Sequence, residues 1–194
     1  MTYQILGLVL FITGCSHLVT GTLPIETRII KSLQNQFQVK PYLTFFREIW
    51  FFGRTSFALI MLILLTMLKW KMGLSAVTVF LIIVGIEQFI KNIFKRARPF
   101  TANQDILMLQ LISPLDSSFP SGDALRIWYL AVIIPVAVGG TGIFFTAIYI
   151  LAALVTVGRS ILGVHYPTDA LAGTGLGLLA AGTTLWLWQY LGLL

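Results

Sequence analysis

The sequence predicts an all-α, polytopic membrane protein: six transmembrane helices and one amphipathic interfacial helix, in a single domain over residues 1–194. Three observations predict it. Of the 194 residues, 57% are hydrophobic and 10% are charged, whereas soluble chains carry about 25% charged residues. Mean hydropathy is +0.90. Apolar runs recur to the last residue, which a short N-terminal targeting signal does not explain, and they lack the two-residue alternation of barrel strands.

About 20 apolar residues cross a hydrocarbon core. On that rule the spans fall near Tyr3–Leu23, Gly53–Leu68, Gly73–Phe94, Ala124–Val138, Thr141–Leu162 and Asp169–Leu193. Gly139-Gly140 makes a tight hairpin between the fourth and fifth. Gly173 and Gly177 allow close packing of the last helix, and Trp186, Trp188 and Tyr190 suit an interfacial belt. Between the first two spans, PIETRIIKSLQNQF carries Ile25, Ile29, Ile30, Leu33 and Phe37 at helical spacing. That pattern predicts an amphipathic helix in the headgroup region.

Six spans place alternate loops on one side of the membrane. One face then receives eleven of the 13 basic residues, and the other only Lys69 and Lys71. Asp123, His165 and Asp169 belong to the basic face, and ionisable groups at membrane depth are functional candidates. The net charge of +6 suits anionic headgroups or a phosphate-bearing substrate. A nucleic-acid partner is not expected, because a span-dense chain has no domain to present one. The lone Cys15 excludes an intrachain disulfide.

Three clusters carry the chemistry. In KNIFKRARP, Lys91 and Arg98 are seven residues apart, about 10 Å along a continuous helix. Pro99 disfavours helix at Arg98 and turns the chain, so that Arg98 folds back towards Lys91. Glu87, one turn before Lys91, is placed to pair with it. In FPSGDALR, Ser121 is positioned as an N-cap and Gly122 lets backbone approach an anion at the helix start. In GRSILGVHYPTDA, His165 lies just before the first turn of the last helix and Asp169 within it. A carboxylate beside an imidazole prepares a histidine base or nucleophile. His17, with no carboxylate nearby in sequence, is read as structural. Together the clusters suit phosphoryl transfer through a phosphohistidine, with Lys91, Arg98 and Arg159 on the phosphate oxygens. No cofactor is expected, and two histidines and one cysteine are spread too thinly for zinc.

The sequence resembles the type 2 phosphatidic acid phosphatase family, whose motifs are K-x6-R-P, P-S-G-H and S-R-x5-H-x3-D. The first is complete from Lys91 to Pro99, and the third keeps its spacings from Arg159 through His165 to Asp169. The resemblance implies a six-helix phosphatase acting on an amphiphilic lipid phosphate among membrane lipids, with its site on the extracytoplasmic or lumenal face. It implies that Lys91, Arg98, Ser121, Gly122 and Arg159 bind phosphate, that His165 is the nucleophile and that Asp169 is its partner. Two positions depart from the pattern: Gly158 replaces the serine, and Asp123 stands where the family has its general-acid histidine. Asp123 as the acid, a leaving group good enough to need none, and an inactive lipid-phosphate binder all remain open. So does transfer of the phosphate to another lipid. Arg126, one turn on, is placed to pair with Asp123. The positive-inside rule would turn the basic face to the cytoplasm, against the family's orientation.

Overall fold

The computed structural model describes residues 1–18, 21–37 and 39–194, and among them shows helices and no strand. The α-helices are α1 (Thr2–Gly14), α2 (Leu23–Phe37), α3 (Lys40–Ile49), α4 (Thr55–Leu68), α5 (Trp70–Phe94), α6 (Pro99–Ala102), α7 (Gly122–Val138), α8 (Gly142–Ile161) and α9 (Pro167–Tyr190). Short 3-10 turns follow α1 and α3.

The six expected spans coincide with α1, α4, α5, α7, α8 and α9. Three of these, α5, α8 and α9, are long and apolar enough to cross a membrane, and counting each bent helix pair as one span gives up to five. The expected first span is shorter than its apolar run: α1 ends at Gly14 and the chain passes into a 3-10 turn over Cys15–Leu18. Val19 and Thr20, also within that expectation, lie outside the described residues. Helix α3 was not expected, and it meets α4 at a bend of 46°.

Helices α7 and α9 form the centre. Almost every side of α7 is covered, and 15 residues of α9 are buried. Close approach between them depends on glycine. A Cβ at Gly173 would lie 2.1 Å from Ser121 O, and one at Gly177 would lie 2.5 Å from Leu125 O. A continuous apolar core joins α4, α5, α7 and α9 through Leu62, Phe80, Tyr129 and Leu176.

One expectation is corrected. Trp188 is no belt residue: it is fully buried and its Nε1 donates to Ser75 Oγ at 2.8 Å, pinning α9 to α5. Trp186 and Tyr190 are exposed and stack on each other at 5.7 Å. The amphipathic helix α2 forms where expected, and its inward stripe is Glu26, Ile30 and Gln34. Ile25 and Ile29 point outward. The buried polar groups of α2 are satisfied: Gln34 Nε2 donates to Leu107 O at 2.7 Å, and Gln34 Oε1 accepts from Leu107 N at 3.1 Å. Beside lipid, apolar residues face out and polar residues find partners inside the protein.

Candidate active site

The site is built where α5 stops, α7 starts, and α8 passes into α9. Lys95 closes α5 in the left-handed conformation, and Arg98 is extended before Pro99. The chain therefore turns back, and Lys91 and Arg98 converge as their sequence context implied. They meet on a residue that was not anticipated. Asp116 Oδ2 lies 2.5 Å from Lys91 Nζ, and Asp116 Oδ1 lies 2.6 Å from Arg98 Nη2. Lys91 also pairs with Glu87 at 2.8 Å.

Ser121 caps α7, its Oγ accepting from Ala124 N at 3.4 Å, while Ser121 N donates to Asp169 O at 3.0 Å. The hydroxyl thus serves the helix, and the neighbouring Gly122 lines the cavity. A Cβ at Gly122 would lie 2.2 Å from Glu87 Oε1, so any side chain there would displace the ion pairs behind it. Asp123 takes part as an acceptor on both oxygens. Oδ1 receives Arg126 Nη2 at 2.8 Å; Oδ2 faces Arg159 Nε at 2.9 Å and accepts from Trp50 Nε1 at 3.2 Å.

Arg159 is buried. Its Nη2 donates to Gln110 Oε1 at 2.5 Å, and its guanidinium lies over the Trp50 ring. Arg159 Nη1 finds no hydrogen-bond acceptor among the described residues, a state that buried donors rarely keep.

His165 is 2% exposed. Its Nδ1 lies 2.8 Å from Ser118 O and 3.8 Å from Asp169 Oδ2, and its Nε2 lies 3.2 Å from Arg98 Nη1. Donation from Nδ1–H to the carbonyl, and from Arg98 to Nε2, fixes one neutral tautomer with its lone pair towards the cations. Burial lowers the His165 pKa to about 4; Arg98 and Arg159 push the same way, against Asp169. The imidazole is neutral near pH 7, as a nucleophile requires.

Asp169 reaches the histidine largely through an intermediary. Its Oδ2 accepts from Ser118 Oγ and, at 2.9 Å, from Tyr166 N, while Oδ1 accepts from Arg96 Nη1 at 2.5 Å. Arg96 in turn donates to Glu26 Oε2 at 2.6 Å and stacks on Tyr166 at 4.0 Å. Glu26 also accepts from Thr168 Oγ1 at 2.5 Å. Helix α2 is thereby fastened to the histidine loop.

The expected residues Lys91, Arg98, Gly122, Asp123, Arg159 and His165 line one cavity of about 160 Å³, with Arg126. Ser121 and Asp169 stand behind its wall. Sequence reasoning missed Trp50, Arg96, Gln110, Asp116 and Ser118. Arg96 lies inside the first motif as an unspecified position, and Asp116 and Ser118 precede the second in a polar loop, without helical spacing to mark them.

A family model, the PAP2 superfamily, matches residues 70–193. The chain belongs to the PAP2 superfamily. All three PAP2 clusters fall inside that match. An undecaprenyl-diphosphatase of Sulfolobus acidocaldarius is 32% identical over 114 residues, covering 55% of this chain and 50% of that protein. The chain thus spans about half the length of the curated relative it matches. The PAP2 fold extends further. A transmembrane PAP2 type phosphatidylglycerolphosphate phosphatase from Bacillus subtilis superposes with a TM-score of 0.82 at 22% identity, over 98% of each chain. Aquifex aeolicus LpxE superposes with a TM-score of 0.71 at 21% identity, over 81% of this chain and 93% of its own.

Proposed function

We propose that the protein is an integral membrane phosphatase that removes phosphate from a lipid phosphate or diphosphate through a phosphohistidine on His165. His165 carries the proposal: its Nδ1 is committed to Ser118 O, while Nε2 turns to Arg98 in a cavity that also holds Lys91, Arg126 and Arg159. In the first step Nε2 bonds to phosphorus and the bond to the leaving oxygen breaks. In the second, water attacks the phosphohistidine and inorganic phosphate leaves. The cations stabilise charge on the phosphoryl oxygens in both steps.

Asp123 bears on the leaving group. Its oxygens already accept from N–H groups of Arg126 and Trp50 and pair with the Arg159 guanidinium, so it holds two cations in place rather than offering a proton. A lipid diphosphate suits such a site, because its leaving phosphate departs as an anion without one. The name of the Sulfolobus relative points the same way. An amphiphilic substrate is supported by Leu107, Leu111, Ile112 and Leu115, exposed on the loop that supplies Gln110, Pro114 and Asp116 to the cavity. We place the site on the extracytoplasmic face, with the family resemblance and against the positive-inside count.

The test is phosphate release from farnesyl diphosphate and from phosphatidic acid in detergent micelles. Wild type should favour the diphosphate. His165→Ala should lose about 10⁴-fold or more in rate, and rapid quenching should trap an alkali-stable, acid-labile label on wild type alone. Asp123→His should raise the rate on phosphatidic acid relative to the diphosphate, as a general acid contributes about 10²–10⁴-fold. Turnover that survives His165→Ala would sink the mechanism.

A further inference from the structure

Asp116 is the one carboxylate of the cavity whose position conflicts with phosphate binding. Arg98 has no donor to spare. Its Nε donates to Asp116 O at 2.9 Å, and its Nη1 to Val164 O at 2.8 Å and to His165 Nε2. Its Nη2 holds Asp116 Oδ1 and, at 3.5 Å, Ser117 O. Lys91 Nζ is shared between Glu87 and Asp116. An anion placed against His165 needs Arg98 Nη2 and Lys91 Nζ, the two groups that the Asp116 side chain occupies.

We propose that Asp116 is an internal anion that competes with substrate and product phosphate for Lys91 and Arg98, leaving as phosphate binds and returning as it departs. The inference rests on the cavity being the phosphate site. Three observations support it. The Asp116 side chain is 46% exposed, against 1% for Glu87 and 12% for Asp123, so it alone has room to turn out. Its backbone is anchored separately, by Arg98 Nε on its carbonyl and by Ser117 Oγ on Lys91 O at 3.0 Å, so the side chain can swing without loosening the loop. Burial pushes the carboxyl up, but hydrogen bonds and charge from Lys91 and Arg98 outweigh it and hold it at about 2; the group is charged wherever the protein works. Phosphate offers the same two donors more charge and more acceptor oxygens than a carboxylate, which lets it win the exchange. The returning carboxylate then speeds product release.

Competition lowers the affinity of every anion by the same factor, so removing the competitor is a direct test. Orthovanadate and inorganic phosphate binding to the full chain in micelles would be measured by calorimetry. Asp116→Asn should bind both about tenfold more tightly or better, and Asp116→Glu, which keeps the charge, should stay near wild type. Asp116→Ser provides a second neutral variant should the asparagine chain fold poorly. In turnover, the neutral variants should show a lower KM and stronger inhibition by product phosphate, with no gain in kcat. Weaker or unchanged anion binding in both neutral variants would overturn the proposal, since Asp116 would then merely organise the cations. Binding needs no turnover: a chain that binds vanadate but releases no phosphate would sink the phosphatase assignment and leave Asp116 testable. A chain in which neither wild type nor the neutral variants bind either anion would overturn both.

Discussion

Arg96 joins two buried carboxylates, and its removal sets a quantitative test. Arg96→Met keeps the aliphatic length and the stacking surface over Tyr166 but removes the charge. Glu26 and Asp169 have side chains 3% and 0% exposed, and Arg96 itself is 12% exposed, so solvent gives little screening. Removing one partner of a buried pair costs about 3–5 kcal/mol. At about 2–4 °C per kcal/mol for a chain of this size, the melting temperature should fall by about 6–20 °C, read by tryptophan fluorescence in micelles. Glu26→Gln in the Arg96→Met background should then cost little, because the second change relieves a charge the first exposed; coupling of about 0.5–3 kcal/mol is expected. A shift below about 2 °C, or strict additivity of the two changes, would refute the clamp.

Three further outcomes are expected. With the His165 pKa held near 4 and His165 proposed as the nucleophile, kcat/KM should stay level as pH drops through 6 and fall only near 4; an acid limb at the ordinary value of about 6.5 would contradict it. The same depression means that the unfolded chain binds the proton first, so this contribution to stability is lost between about 6.5 and 4 as pH falls. Gly173→Ala should cost about 1–3 kcal/mol in unfolding free energy, because the contacted atom, Ser121 O, is backbone and α9 must shift to admit a methyl. Gly140→Cys in a Cys15→Ala chain should resist an impermeant thiol reagent in intact cells and react after permeabilisation, since the Gly139–Gly140 turn ends α7 opposite its site end; labelling of intact cells would reverse the orientation.

The helices were legible because apolar length and helix punctuation are local signals. Gly139 in the left-handed conformation, Ser121 as a cap and Pro99 after an extended Arg98 all act within a few residues. Lys91, Arg98 and Arg159 were legible as motif members, and the Asp123–Arg126 pair as neighbours on one helix face. What escaped depends on distant partners. Arg96 matters because Glu26, 70 residues away, and Asp169, 73 residues away, meet on it. Trp188 reads like its neighbour Trp186, and only its distant contacts with α5, at Ser75 and Met72, make it a core residue. The inward stripe of α2 escaped because Glu26 and Gln34 find their partners in distant segments, at Thr168 and Leu107.

Trp50 gives the cavity an optical reporter. Its indole N–H bonds to Asp123, and its ring lies against the guanidinium groups of Arg54 at 5.2 Å and Arg159 at 5.1 Å. Among the five tryptophans, it is the one that lines this cavity. An anion that draws on Arg159 changes the charge above that ring, and with it the ring's emission. Anion binding in the cavity should therefore register in the protein's native fluorescence, where it can be followed in real time with no label attached.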